Sequence, residues 1–216
     1  MKDQDELRGT ARAAIMKSAM QAVRLHGLEG LRIQHIGEIS GFAASNLYSH
    51  FSSKEELLQV CFETVDRQIA GIFDQVHVSR EQAAQDPEGE IRRLWTIYWR
   101  WLVNHPDETV FYHRYRDNAR FPEYDKKRDV SYFSSLIQSV NQIDRQLHIY
   151  EKISPDVLWL HVLTGTVLYA KYVAEGVLPN APATEQIVFR LLMGGLRGLF
   201  GPAGSSEEAR SEIPRG

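Results

Sequence analysis

From Leu7 to Phe200 the apolar residues recur three and four positions apart, and nowhere do they alternate with polar ones over the length of a strand. A period of 3.6 without a period of 2 confines the chain to packed helices. Start and stop signals divide the pattern into about nine of them. Leu7 to His26 puts Ile15, Ala19, Ala22 and Val23 on one face, with Met16 and Met20 beside them, and stops at Gly27. Ile33 to Ser40 and Ala43 to His50 are short helices on either side of a Gly41-Phe42 turn. Ser53-Lys54-Glu55-Glu56 has the S-x-x-E capping pattern and opens a long helix with Leu58, Cys61, Phe62, Val65, Ile69, Ile72 and Phe73 on one stripe. The polar segment from Val78 to Gly89 reads as a loop. Asp86-Pro87, His105-Pro106-Asp107 and Ser154-Pro155-Asp156 each place proline in a first helical turn, where its missing N–H costs nothing. A longer helix is predicted from Pro122 to Tyr150, and Thr184-Glu185 opens the last one, which stops at Gly201-Pro202. The fold class is therefore all-α. A three-helix N-terminal domain occupies residues 1–52 and a larger helical domain residues 53–201, its linking helix beginning at 53. The polar tail, residues 202–216, is expected to be mobile.

Charge and composition narrow the function. The net charge of −3 does not announce a nucleic-acid binder, so any DNA affinity must come from a local patch. Residues 1–58 hold seven basic and seven acidic side chains, which cancel; few phosphate contacts and a modest salt dependence follow. The single cysteine, Cys61, can form neither an internal disulfide nor a multi-cysteine zinc site, and fits a reducing cytoplasm. Its place in an apolar stretch reads as a small buried hydrophobe. The N-terminus lacks the apolar core of a signal peptide. The longest uncharged stretch of the C-terminal half, Val157 to Ala170, falls short of the ~20 residues that span a bilayer, so no membrane is expected. No glutamate has a histidine three residues on, and there is no phosphate loop, H-E-x-x-H or G-x-S-x-G. Without those constellations an enzyme is not expected, nor a metal or cofactor.

The most informative segment is Ile33 to Phe51, IQHIGEISGFAASNLYSHF. Two short helices crossing steeply need an apolar contact set, which Ile33, Ile36 and Ile39 supply from the first and Leu47 and Phe51 from the second. Gly37 permits close approach, Gly41 suits a turn with φ > 0, and Phe42 plugs the turn into the core. In a helix-turn-helix the second helix presents its N-terminal residues to the major groove. Ala43, Ala44, Ser45 and Asn46 are small enough for that. Asn46 suits adenine or a phosphate, and the alanines suit thymine methyls. Tyr48 and His50 are candidate phosphate contacts. Lys54, at the start of the next helix, joins its charge to free N–H groups. Arg32, Gln34 and His35 are candidate additional contacts.

At this point the sequence resembles the TetR family of bacterial regulators. Ile15, Ala19 and Gly27 fit the family's first helix. Ile36, Gly41, Leu47, Tyr48, Phe51, Ser53, Lys54, Leu57 and Leu58 fit its small-residue turn, L-Y-x-H-F and S-K-E-x-L-L pattern. Two positions depart from it. Leu31-Arg32 stand where the family often has Thr or Ser, and Ala43-Ala44 where it often has a Ser cap followed by Lys. The lost cap oxygen is worth ~1 kcal/mol, and the operator cannot be borrowed from a relative.

The resemblance implies an effector pocket and a dimer in the C-terminal region. Trp95, Tyr98, Trp99, Phe111, Tyr112, Tyr115, Phe133, His161 and Tyr169 form the aromatic set expected to line an apolar pocket with polar handles, although for any one of them ordinary core is the simpler reading. The ligand's charge stays open: Glu108 would suit an organic cation, and Arg114, Arg116 and Arg120 an anion. Leu160, Val167 and Leu168 on one helix, and Ile187, Leu191, Gly194, Gly195 and Gly198 on the last, are the expected dimerisation surface, by the family's four-helix-bundle arrangement. A two-fold homodimer implies a palindromic double-stranded DNA operator. The expected function is a cytoplasmic repressor that releases its operator when a small molecule binds. The alternative is a helical ligand carrier or interaction protein on the same scaffold that no longer reads DNA.

Overall fold

The computed structural model describes residues 2–119 and 131–197. Ten α-helices cover them: α1 Lys2–His26, α2 Ile33–Ser40, α3 Ala44–His50, α4 Lys54–Asp74, α5 Arg80–Gln85, α6 Pro87–Asn104, α7 Pro106–Arg116, α8 Ser134–Leu147, α9 Pro155–Ala174 and α10 Pro182–Arg197. A 3₁₀ turn at Ser131–Phe133 precedes α8, and one turn of α9, Leu160–Thr164, is π-helical. There is no strand among the described residues.

The signals that place the helices act through their caps. Ser53 accepts from the Glu56 N–H at 3.0 Å, Asp86 from the Gly89 N–H at 2.8 Å, and Ser154 from the Val157 N–H at 3.4 Å. Each satisfies an N–H that the helix leaves without a partner. Glu56 completes the arrangement one residue early, taking the backbone N–H of Ser52 at 2.6 Å rather than that of Ser53.

Two expectations need correction. The segment expected to be a loop, Val78 to Gly89, contains α5. Ser79 and Gln82 form a reciprocal capping box there, the Gln82 N–H reaching Ser79 Oγ at 3.1 Å and the Ser79 N–H reaching Gln82 Oε1 at 2.9 Å. Helix α9 runs from Pro155 past the uncharged stretch to Ala174. At 20 residues it is long and apolar enough, by length and composition alone, to cross a membrane, yet Leu158, Val167 and Ala170 face the core. The helix predicted from Pro122 to Tyr150 runs only from Ser134 to Leu147 within the described residues, ending at His148, whose φ of 52° is left-handed. Gly198 and the tail, residues 202–216, lie outside the described residues.

One apolar core runs from Ile15 in α1 to Leu196 in α10. Ile15, Ala19, Ala22 and Val23 are fully buried, as are Cys61, Phe62 and Val65 of α4. Phe62 stacks on Tyr112 and Tyr115 of α7, with centroids 4.8 and 5.0 Å apart. Burial raises the Cys61 thiol far above its ordinary pKa, and its S–H points to the Met16 carbonyl, so it is a packing residue rather than a nucleophile. Polar ties also hold α1 to α7. Arg24 pairs with Asp107. Arg114 donates to the Val23 carbonyl at 2.6 Å and the Arg24 carbonyl at 3.3 Å, then reaches Glu175 beyond α9 at 3.1 Å. The Val23 carbonyl also accepts the Gly27 N–H at 2.9 Å, so the guanidinium adds a second, charged donor at the C-terminal end of α1 and complements the helix dipole.

Candidate nucleic-acid interface and effector cavity

Helices α2 and α3 are joined by a turn that the sequence shapes directly. Gly41 has φ 74°, and its N–H closes α2 on the Gly37 carbonyl at 2.8 Å. A Cβ on Gly37 would lie 2.8 Å from the Phe42 carbonyl oxygen, so this glycine lets the turn fold back onto α2. Phe42 is half-buried against the core. Ala43 caps α3 with extended backbone and no side-chain bond. Its carbonyl accepts from the Asn46 N–H at 2.9 Å.

Leu47 and Phe51 are buried and anchor α3. The rest of the helix faces outward. Ala43, Ala44 and Ser45 are exposed, Asn46 and His50 half-buried, and Tyr48 is 55% exposed. Ser49 donates to the Asn46 carbonyl at 2.7 Å and lies 3.3 Å from Asn46 Oδ1, which orients the amide. A large phenol left this open on a seven-residue helix does not serve packing. Arg32 and Gln34 are exposed at the start of α2. His35 stacks on His26 at 4.0 Å and accepts from the Arg32 N–H at 3.3 Å. Lys54 is half-buried, its Nζ 3.3 Å from the Leu31 carbonyl, so it bridges the start of α4 to the α1–α2 loop beside the exposed face. Arg12 was not expected to matter here. It donates to the His50 carbonyl at 2.6 Å and lies over the Phe51 ring at 4.1 Å, clamping the end of α3 to α1. No sequence motif marks this contact, because thirty-eight residues separate the partners.

A cavity enclosing about 720 Å³ of empty space, its mouth included, opens among α4, α6, α8, α9 and α10. Trp95 and Tyr98 of α6 line it, with Phe73 from the end of α4. Helix α8 contributes Leu136, Val140, Ile143 and Asp144. Helix α9 contributes Leu158, Trp159, Val162 and Leu163. Trp159 continues the aromatic run of the sequence and lines the cavity, whereas Trp99, Phe111, Tyr112, Tyr115, Phe133, His161 and Tyr169 do not. Trp99 is buried against Trp95, and Phe111, Tyr112 and Tyr115 belong to the α4–α7 stack. Phe133 and Tyr169 are half-buried against the core. His161 sits on the outer side of α9, its Nε2–H donating to the Leu192 carbonyl of α10 at 2.8 Å. The aliphatic half of the lining was overlooked, although Leu136, Val140 and Ile143 keep helical spacing.

Another buried feature, Asp66 of α4, had no motif. It is fully buried and accepts from the Tyr112 hydroxyl at 2.6 Å and the Tyr132 hydroxyl at 2.9 Å. Of the expected dimerisation residues, Leu160 is 59% exposed, and Ile187 and Leu191 are each 57% exposed. Gly194 and Gly195 are exposed beside them, whereas Val167 is buried and Leu168 half-buried within the subunit. A Cβ on Gly165 would meet the Leu192 side chain at 2.9 Å, which explains how closely α9 and α10 pack. Among the described residues no group of three His, Cys, Asp or Glu is placed to hold a metal ion.

Comparisons with known proteins agree with this geometry. Residues 15–61 match the model of the bacterial regulatory proteins of the tetR family. No curated protein matches the chain. A TetR family transcription regulator from Marinobacter aquaeolei VT8 superposes with a TM-score of 0.68 at 18% identity, covering 90% of this chain and 97% of that one. A putative tetR family regulator from Shewanella sp. PV-4 gives 0.59 at 19% identity, covering 86% and 97%. A TetR-family regulator from Haemophilus influenzae Rd gives 0.58 at 18%, covering 88% and 97%. At such identities the superpositions establish a common fold, and the matched segment runs from α1 through the helix-turn-helix into the first turns of α4; the chain thus has the fold of TetR-family transcription regulators, with an N-terminal segment that matches the model of the tetR family.

Proposed function

We propose that this protein is a non-enzymatic, cytoplasmic, ligand-responsive repressor that binds a palindromic operator in double-stranded DNA as a homodimer. Residues 1–52 serve as its DNA-binding domain and 53–201 as its ligand-binding and dimerisation domain. The observation that carries the reading is the outward face of α3: small residues at its start, then Asn46 and the exposed Tyr48, on a helix whose inward face is fixed by Leu47, Phe51 and Arg12. Small residues admit the helix into a major groove, while Asn46 reads base edges and Tyr48, His50 and Lys54 engage phosphates. Arg32, Gln34 and Ala43 to Ser45 complete the surface.

The exposed apolar strip of Leu160, Ile187 and Leu191 beside Gly194 and Gly195 supports a dimer through α9 and α10. The cavity supports an effector. Phe73 of α4 lines it while the other end of α4 packs on α1 and follows α3 after three residues, so a ligand that prefers one setting of α4 shifts the spacing of the two recognition helices. It does so only by its difference in affinity for the two states. The test compares wild type with Tyr48→Ala and Lys54→Ala on fragmented DNA from the source organism. The variants are expected to stay folded and dimeric while losing retention. Wild-type retention by both would refute the docking surface.

A further inference from the structure

Resting on the effector reading, we propose that the cavity takes an uncharged, mostly hydrocarbon ring compound and rejects both the anion and the organic cation of the same framework. The wall facing the empty space is almost entirely carbon, and its polar atoms are turned elsewhere. Trp95 donates its indole N–H to Thr166 Oγ1 at 2.9 Å. Thr166 in turn donates to the Val162 carbonyl. The one ionisable acid on the wall, Asp144, accepts the Tyr150 backbone N–H on Oδ1 at 2.9 Å. Tyr98 and Tyr150 add phenols, not charge.

The charged residues that left the ligand class open in the sequence do not reach the site. Arg114 is engaged with the α1 carbonyls and Glu175. Arg116 lies over the Tyr112 ring at 5.6 Å and donates to its hydroxyl at 3.3 Å. Glu108 does not line the cavity, and Arg120 lies outside the described residues. An ion entering such a cavity sheds its hydration and finds nothing to replace it. Asp144 repels an anion, and a cation finds in it a single carboxylate whose oxygens add almost nothing to the wall, too little to replace a lost hydration shell. The flat faces of Phe73, Trp95, Tyr98 and Trp159 suit a fused or linked ring system.

The experiment titrates the full chain, without DNA, with the neutral fluorophore N-phenyl-naphthylamine. The probe is then displaced with three naphthalenes substituted at one ring carbon: the neutral methanol, the carboxylate anion and the methylammonium cation. The neutral compound is expected to displace the probe at concentrations roughly 30-fold or more below either ion. Val140→Phe and Ile91→Phe, which fill the cavity from two different helices, are each expected to weaken probe binding about tenfold or more with helicity unchanged by circular dichroism. Displacement by either ion as efficient as by the alcohol, or wild-type probe binding by both filled variants, overturns the proposal. Because no DNA is present, a cavity that prefers ions leaves the reading of α3 standing, and a failed DNA test leaves this result standing.

Discussion

Arg114 offers the sharpest test of how the N-terminal helices are held to the rest of the molecule. Arg114→Met keeps most of the side-chain stem and removes the guanidinium. The short bond to the Val23 carbonyl is charge-assisted, a class worth ~1.5–3 kcal/mol. The side chain is 28% exposed, so water re-solvates part of what is lost, and we take ~1.5 kcal/mol for the two carbonyl bonds together. The ion pair with Glu175 adds no more than ~0.5 kcal/mol at that exposure, particularly since Lys171 also pairs with Glu175 at 3.2 Å. The sum of ~2 kcal/mol lowers the melting temperature of a chain this long by roughly 4–8 °C. Urea denaturation followed by tryptophan fluorescence, with Glu175→Gln alongside, separates the contributions. Glu175→Gln is expected to cost less than half as much as Arg114→Met. A cost below ~0.5 kcal/mol for Arg114→Met, or equal costs for the two variants, would refute the assignment of this residue as the cap of α1.

Other outcomes follow from the same structure. Phe62→Ala removes a fully buried ring stacked on two tyrosines and is expected to destabilise by ~3–5 kcal/mol in chemical denaturation. Gly41→Ala meets no atom within 4 Å but must hold φ 74°, so a loss of ~1–2 kcal/mol is expected from the backbone alone; a neutral result would mean that the turn relaxes. Burial, opposed by Asp117, holds the His113 imidazole below its ordinary value of 6.5. The folded state therefore binds that proton more weakly than the unfolded chain, and stability falls as pH drops through 6.5 towards the lower folded value. Wild type is expected to lose more stability than His113→Gln between neutral and mildly acidic pH, as read by denaturation midpoints.

Most of the framework was legible in the sequence because it is written locally. Caps such as Ser53, Asp86 and Ser154 act within three residues, and Leu47 and Phe51 declare their burial by helical spacing. Helix α5 shows the limit: its Ser79–Gln82 box was present, but six residues carry too little periodicity to read as a helix beside so many polar neighbours. The exposed face of α3 was accessible for the same local reason. What stayed hidden depends on long-range pairing. Arg12 finds Phe51, Arg114 finds Val23, and two tyrosine hydroxyls find Asp66 across distances in sequence that no spacing rule spans. The cavity was hidden in a different way. Aromatic density drew attention to α7, whose rings fill the core, while the void depends on aliphatic residues of α8 and α9 that any helix uses for packing.

The central claim is that α3 reads a specific DNA sequence. Its most direct test is a genome-wide selection: protein unfolded and refolded to strip any ligand carried from expression, mixed at near-physiological salt with fragmented DNA from its source, and the retained fragments sequenced. The account expects enrichment of one palindromic site whose half-sites lie a helical turn, or a multiple of it, apart. Retention of fragments no different from bulk DNA by this ligand-free protein would contradict it, and the ligand-carrier alternative would take its place.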